Sequence, residues 1–176
     1  SERFDVTLPR VVEAVSSSDG ATRVVLELPD GAVVEAVHMP RAVRSPRVTL
    51  CISSQVGCPL HCAFCATGEQ GFVRNLSAGE LVAQVIAMQA YFGARRGHEI
   101  TLVFMGMGEP LLNVNAVVRA VEVLCHEDGL GIPPGRVTVS TAGVVPGIER
   151  LAMATTRPDL ALSLCTVRED LRSALM

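Results

Sequence analysis

The amino-acid sequence predicts an α/β fold built on a parallel sheet and preceded by a β-hairpin. A chain of 176 residues, of which 49% are hydrophobic, is long enough for one domain with a packed core. From about residue 48 onward, β-prone runs alternate with helix-length segments, and no low-complexity tract divides them. This alternation favours right-handed βαβ units, in either a doubly wound sheet or part of a βα barrel.

Composition and charge narrow the class of protein. Apolar runs such as 102–105 are far shorter than the roughly 18 residues needed to cross a bilayer, and residues 1–3 provide no apolar signal core. We therefore expect a soluble, cytoplasmic protein with no membrane partner. The formal net charge of −3 gives no overall attraction for phosphate. Arg41, Arg44 and Arg47 are either a local basic patch or an ordinary solvated loop.

The first element is a predicted hairpin. Residues 22–39 alternate apolar and polar positions on both sides of Pro29-Asp30-Gly31, a pattern typical of two antiparallel strands joined by a tight turn. We assign this hairpin and the Arg-rich connection to a first region, 1–47. The βα units form a second region, 48–176.

The second region begins with a strand at Val48–Ser53 and continues with a helix. Ser77 and Glu80 have capping-box spacing, which predicts a helix start, and Gly93 lies near its expected end. Three more strands are predicted at 100–104, 136–140 and 160–164. Further helices are predicted at about 116–127, 146–154 and from about 168.

Three cysteines follow the first parallel strand in a CxxxCxxC arrangement, at Cys58, Cys62 and Cys65. Three thiolates on one loop can each hold one iron of a [4Fe–4S] cluster and leave the fourth iron without a protein ligand. A disulfide is disfavoured in a reducing compartment. Zinc is the better alternative, because His61 could complete four ligands, although its position directly before Cys62 is awkward.

Polar or glycine-rich segments follow all four predicted parallel strands. The carboxyl ends of parallel strands meet at one edge, where such sheets bind ligands. We therefore expect the Cys loop, Gly106–Pro110, Ser140–Gly143 and Ser163–Cys165 to meet around one ligand. Glycine lets the backbone approach closely, and Glu109 could accept a hydrogen bond from an ammonium or ribose hydroxyl. Taken alone, the glycine-rich segment could also be an ordinary turn.

This succession of segments resembles the RlmN/Cfr family of radical S-adenosylmethionine (SAM) enzymes, which methylate carbon 2 or carbon 8 of an adenine in 23S ribosomal RNA. The resemblance runs from about Val24 to Met176 and implies a partial βα barrel of the radical SAM type. Prior frequency favours the carbon-2 branch. The strings that carry the resemblance are CISSQVGC at 51–58, GFVRNL at 71–76, FMGMGEPLLN at 104–113, RVTVST at 136–141 and VVP at 144–146.

The resemblance also implies a set of cofactor-binding residues. Cys58, Cys62 and Cys65 would hold a [4Fe–4S] cluster, and SAM would chelate its open iron. The family usually has histidine where this sequence has Cys165. The expected SAM contacts are Gly108, Glu109, Ser140, Ser163, Leu164 and Cys165.

Two further roles come from the resemblance. Cys51 matches the cysteine that helps to release the methylated product through a transient disulfide, and Glu35 matches the acid proposed as proton acceptor. From the residues alone, Cys51 could equally be a buried strand cysteine, and Glu35 would be a solvated strand residue. Cys125, on a predicted helix, is expected to be part of the core.

The expected partners are 23S rRNA, with transfer RNA as a second candidate, and an electron donor such as flavodoxin or ferredoxin. The family has an RNA-binding domain before this region and further βα units after it, which include the methyl-carrying cysteine. We therefore expect the chain to be a fragment. The alternatives are a radical SAM enzyme with another substrate and a non-catalytic remnant that binds metal or RNA.

Overall fold

A computed structural model describes residues 7–41 and 47–176 as a mixed sheet whose core lies between one face and several of the helices. Its strands are β1 (Arg10–Ser16), β2 (Thr22–Glu27), β3 (Val33–Pro40), β4 (Val48–Ile52), β5 (Gln55–Gly57), β6 (Phe72–Asn75), β7 (Ile100–Phe104), β8 (Val137–Thr141) and β9 (Asp159–Leu162). Its helices are α1 (Ala66–Glu69), α2 (Ala78–Phe92), α3 (Val114–Cys125), α4 (Val145–Ala152) and α5 (Glu169–Leu175).

The predicted hairpin is formed by β2 and β3. Leu26 pairs with Val34, and the Leu28 N–H donates to the Ala32 carbonyl across the turn at 2.7 Å. A third antiparallel strand, β1, was not predicted, because its side chains are almost all exposed and show no alternation. The hairpin is therefore part of a three-stranded antiparallel unit.

The antiparallel unit and the parallel strands form one seven-stranded sheet in the order β1-β2-β3-β4-β7-β8-β9. β3 is antiparallel to β4, whereas β4, β7, β8 and β9 are mutually parallel. Arg41 and Arg47 flank the connection from β3 to β4, and the Arg41 N–H donates to the Arg47 carbonyl at 3.1 Å. Arg44 lies outside the described residues, and a domain division at residue 47 stays a prediction.

The two faces of the sheet differ in burial. Alternate strand residues such as Leu50, Leu102 and Val139 form the core with α2, α3 and α4. The residues between them are mostly half-buried. On this second face, strand register aligns Val37, Cys51 and Val103. In the described residues, no helix is long and apolar enough to cross a membrane.

The start of α2 confirms the predicted capping box. The Ser77 Oγ accepts from the Glu80 N–H at 3.2 Å, and the Glu80 carboxylate accepts from the Ser77 N–H at 2.8 Å. Arg74 on β6 donates to Glu80 at 2.8 Å and to Asp30 in the hairpin turn at 2.7 Å. Three separate elements are thereby fixed near one another.

The remaining predicted elements are present with small shifts in their ends. β7 has the predicted bounds, whereas α3 begins and ends two residues earlier than expected. β8 and β9 are each displaced by one or two residues, and α4 ends at Ala152 rather than Ala154. The short elements β5, β6 and α1 were not predicted.

Replacement of Leu102 by alanine should lower the free energy of unfolding by about 2–5 kcal/mol, because it leaves a cavity under the central strand β7. Leu102 is 0% exposed. The matched control is Leu160→Ala on the edge strand β9, where the leucine is 43% exposed. Its effect in urea unfolding should stay within about 1 kcal/mol. Equal losses in the two variants would contradict this core.

Candidate active site

The Cys loop is closed at its base by the two-stranded sheet of β5 and β6. The Cys58 N–H donates to the Gly71 carbonyl at 3.1 Å. Gly57 has φ of +74°, and a Cβ atom at this position would overlap the Gly71 carbonyl oxygen. Glycine at 57 is therefore required for the two ends of the loop to meet.

Tight turns place the three cysteine side chains close together. The Cys65 N–H donates to the Cys62 carbonyl at 3.0 Å, and the Gly68 N–H donates to the Cys65 carbonyl at 2.9 Å. Burial raises the pKa of the Cys58 thiol, and the neighbouring Cys62 and Cys65 raise it further. Burial also raises the pKa of Cys62, with smaller contributions from Cys65 and Cys165. Like charges on these sulfurs would repel, so a cationic metal group would favour the thiolate forms.

The cysteines open onto a cavity of about 370 Å³. Its opposite side consists of the loops that follow β7 and β8, together with the end of β9. The residues that were predicted from the sequence and line this cavity are Cys58, Cys62, Cys65, Gly108, Glu109, Ser140 and Ser163. Thr141 and Ala142, from the predicted segment 140–143, also line it. Met105 lines it too and was missed, although it directly follows β7.

Glu109 joins two of the loops around this cavity. Glu109 is buried, with 4% of the residue exposed. One carboxylate oxygen accepts from the Leu111 N–H at 2.9 Å, and the other accepts from the Ala142 N–H at 2.7 Å. A carboxylate has about four lone-pair sites, so Glu109 can accept further hydrogen bonds from a ligand.

The carboxyl ends of β8 and β9 and the segments that follow them are also connected. The hydroxyl oxygens of Ser140 and Ser163 lie 3.3 Å apart. Arg172 on α5 donates to the Leu164 carbonyl at 2.9 Å and also to the Ala142 carbonyl. These contacts hold the carboxyl ends of neighbouring strands around the cavity.

Four of the predicted residues lie outside the cavity lining. Leu164 and Cys165 follow Ser163 and are exposed, and Cys165 has φ of +54°. Cys51 is buried on β4, where its thiol interacts with the backbone of Met105, and burial raises its pKa. Glu35 lies two residues from Val37, the strand partner of Cys51, and therefore on the same sheet face.

The geometry of His61 does not favour the zinc alternative. Its ring Nδ1 lies 3.1 Å from the Gly68 carbonyl oxygen, its side chain is exposed, and it does not line the cavity. Across 7–41 and 47–176, no three His, Cys, Asp or Glu side chains are arranged around a single metal position. A cubane spreads its ligands over separate irons, whereas tetrahedral zinc gathers them at about 2.3 Å. Three free thiols that line one cavity supply the donor set of a [4Fe–4S] cluster, and the position of His61 adds no fourth ligand for zinc.

All six cysteines are free thiols, so no disulfide joins them. Cys125, on α3, packs against the core as expected from the sequence. Burial raises its pKa to about 11. Cys125 therefore lies in the core rather than at the cavity, and its raised pKa keeps it in the unreactive thiol form near neutral pH.

Residues 52–175 match the family model of the radical SAM superfamily, so this chain belongs to that superfamily, whose members use a [4Fe–4S] cluster and SAM. Within the superfamily, the chain resembles RlmN. It is 44% identical over 181 residues to a dual-specificity RNA methyltransferase RlmN of Nitratidesulfovibrio vulgaris strain Hildenborough, a match that covers 100% of this chain and 50% of the relative. It is 43% identical over 178 residues to ribosomal RNA large subunit methyltransferase N of Nitrosopumilus maritimus strain SCM1, covering 98% and 51%.

A solved structure supports the fold. A radical SAM methyltransferase from Sphaerobacter thermophilus has a TM-score of 0.86 and 42% identity, covering 97% of this chain and 49% of that chain. The prediction of a radical SAM α/β fold is confirmed. The chain spans about half the length of these relatives.

In the metal-free chain, iodoacetamide at about pH 8 should alkylate Cys165 much faster than Cys125. Cys165 is exposed, whereas Cys125 has its pKa raised to about 11, and the thiolate is the reactive form. The rate at Cys125 should rise about tenfold per pH unit until the pH approaches that pKa. Peptide mass spectrometry measures both rates, and equal rates at about pH 8 would contradict the described burial.

Proposed function

We propose that this chain forms the cluster-binding and SAM-binding part of a radical SAM RNA methyltransferase that acts on carbon 2 of an adenine in 23S rRNA. Transfer RNA is a second candidate substrate. The observation that carries the proposal is the single cavity shared by three free cysteines and the loops at the ends of the parallel strands. The similarity to proteins named as RNA methyltransferases supports the choice of substrate class.

Cys58, Cys62 and Cys65 would hold the [4Fe–4S] cluster, with one iron left for SAM. Once bound, the cluster and SAM would supply a one-electron cleavage of the C5′–S bond of SAM, which gives methionine and a 5′-deoxyadenosyl radical. The electron would come from a donor of the flavodoxin or ferredoxin class. The chain itself contributes apolar walls at Phe104, Met105 and Pro110, and these help to exclude water from reactive species.

Polar residues opposite the cysteines would bind and orient SAM. The Glu109 carboxylate would accept a hydrogen bond from the amino group of SAM, and it is held in place by two backbone N–H donors. Gly108, Ser140 and Ser163 offer backbone and hydroxyl groups at the same cavity. Leu164 and Cys165 directly follow Ser163, and we propose that they contact SAM from the edge of the cavity.

Glu35 and Cys51 are proposed to act on the RNA adduct rather than on SAM. The Glu35 carboxylate accepts from the Arg23 guanidinium at 2.5 Å, and its side chain is 45% exposed. The half-exposed carboxylate is open to an approaching substrate, as a proton acceptor must be. Cys51 shares the Glu35 face of the sheet and contacts Met105 at the cavity, a position that suits product release through a transient disulfide.

Anaerobic reconstitution with iron and sulfide should give about four irons per chain and a broad iron–sulfur absorption band. When a reductant is added, the reconstituted protein should form 5′-deoxyadenosine from SAM. Single alanine substitutions at Cys58, Cys62 or Cys65 should remove the band, because each thiolate holds one iron. Cys125→Ala is the matched control and should retain both signals. A colourless protein that binds one zinc ion tightly would refute the proposal.

Deletion of the gene for the full-length enzyme to which this part would belong should remove 2-methyladenosine from 23S rRNA, as measured by nuclease digestion and mass spectrometry. Reintroduction of the gene should restore the modification, whereas a copy with Cys62→Ala should not. Unchanged 2-methyladenosine after deletion would overturn the assigned substrate. Loss of the modification from transfer RNA alone would favour the second candidate instead.

A further inference from the structure

We propose that Gln55 is a positioning residue whose side-chain amide sets the spacing between the Cys loop and the Gly106–Pro110 loop. The inference rests on the proposed function, because it concerns the distance between the cluster and bound SAM. Gln55 begins β5 and precedes Cys58 by three residues. It is 1% exposed and does not line the cavity itself.

Both ends of the Gln55 amide are engaged. Its Oε1 accepts from the Glu109 backbone N–H at 2.8 Å, and its Nε2 donates to the Asn75 Oδ1 at 2.7 Å. A backbone N–H can only donate, so the oxygen of Gln55 must face Glu109 and its nitrogen must face Asn75. The side chain therefore connects the glycine-rich loop to β6, which closes the base of the Cys loop.

The glycine-rich loop also lies directly against Gln55. Gly108 has φ of +94°, and a Cβ atom there would lie 2.5 Å from the Cβ of Gln55. Next to it, the Met107 carbonyl accepts from the Ser54 N–H at 2.8 Å, and the Met107 N–H donates to the Ser53 Oγ at 2.9 Å. The segment 53–55 thus fixes the loop, and Gln55 fixes the part nearest Glu109.

The hydrogen bond between the Glu109 N–H and the Gln55 side chain fixes the position of Glu109 relative to the cysteines. The Glu109 backbone is held by Gln55, and its carboxylate is held by Leu111 and Ala142. Without the Gln55 acceptor, the buried Glu109 N–H has no hydrogen-bond partner. Movement of the Gly106–Pro110 loop toward water, where this N–H can be hydrated, then becomes more favourable. The cysteines would still be able to hold a cluster. A defect confined to SAM binding is therefore the signature of a positioning role.

Two substitutions separate hydrogen bonding from packing. Gln55→Met keeps much of the length and volume of the side chain but removes both polar ends. Gln55→Glu keeps an acceptor for the Glu109 N–H, and burial favours its neutral acid, whose O–H can donate to the Asn75 Oδ1 as the amide does. Thr22→Val is a control for loss of a buried polar group at a distance, because Thr22 contacts Ser16 on β1.

The first measurement is SAM affinity in reconstituted chains of equal iron content. We expect Gln55→Met to bind SAM about tenfold more weakly than the parent, with an unchanged cluster spectrum, and Gln55→Glu to stay within about threefold. Thr22→Val should match the parent. Thermal unfolding of each variant shows whether stability alone accounts for the differences.

The second measurement uses the metal-free chain. Hydrogen exchange of the Glu109 amide should be slow in the parent and in Gln55→Glu, and faster in Gln55→Met. Normal SAM affinity in Gln55→Met, or equal losses in the two Gln55 variants, would overturn the inference alone. A parent that binds neither iron nor SAM would overturn the proposed function and this inference with it.

Discussion

The requirement that buried polar groups find partners governs the arrangement around the cavity. The segment that leaves β4 is buried, yet Ser53, Ser54 and Gln55 are polar. Gln84 on α2 accepts from the Ser53 N–H at 3.0 Å and donates to its carbonyl at 2.9 Å. The Ser53 hydroxyl donates to the Glu35 carbonyl at 2.6 Å. In the described ranges, no buried side-chain nitrogen or oxygen lacks a partner, so these contacts determine how strand, helix and loop fit together.

The cysteine site differs from these satisfied polar contacts, because neighbouring thiolates would repel one another in the absence of metal. Burial and mutual repulsion raise the pKa of Cys58, which favours the neutral thiol. Coordination requires thiolates, so assembly of a cluster must release protons and is favoured by higher pH. The fold supplies the positions of the sulfurs, and the metal supplies the positive charge that stabilises them.

Local signals in the sequence were sufficient for much of the fold. The capping box at Ser77 located α2, and the apolar alternation around Gly31 located the hairpin. β5 and β6 could not be predicted, because they contain three and four residues and depend on the approach of Gly57 to Gly71, which are far apart in the chain. The roles of Gln55 and Arg172 were likewise invisible, since their partners lie 54 and 30 residues away in sequence.

The close approach of the Gly71 carbonyl to Gly57 restricts which substitutions this position can accept during evolution. Gly31 also has positive φ, at +84°, but no atom lies within 4 Å of the place where its Cβ would stand. Asparagine or aspartate can adopt that conformation at modest cost, so position 31 is open to neutral exchange. Position 57 combines the same backbone conformation with a steric block by a main-chain carbonyl, which no neighbouring side chain can relieve by moving. Purifying selection should therefore be far stronger at 57 than at 31, although both residues are glycines with positive φ.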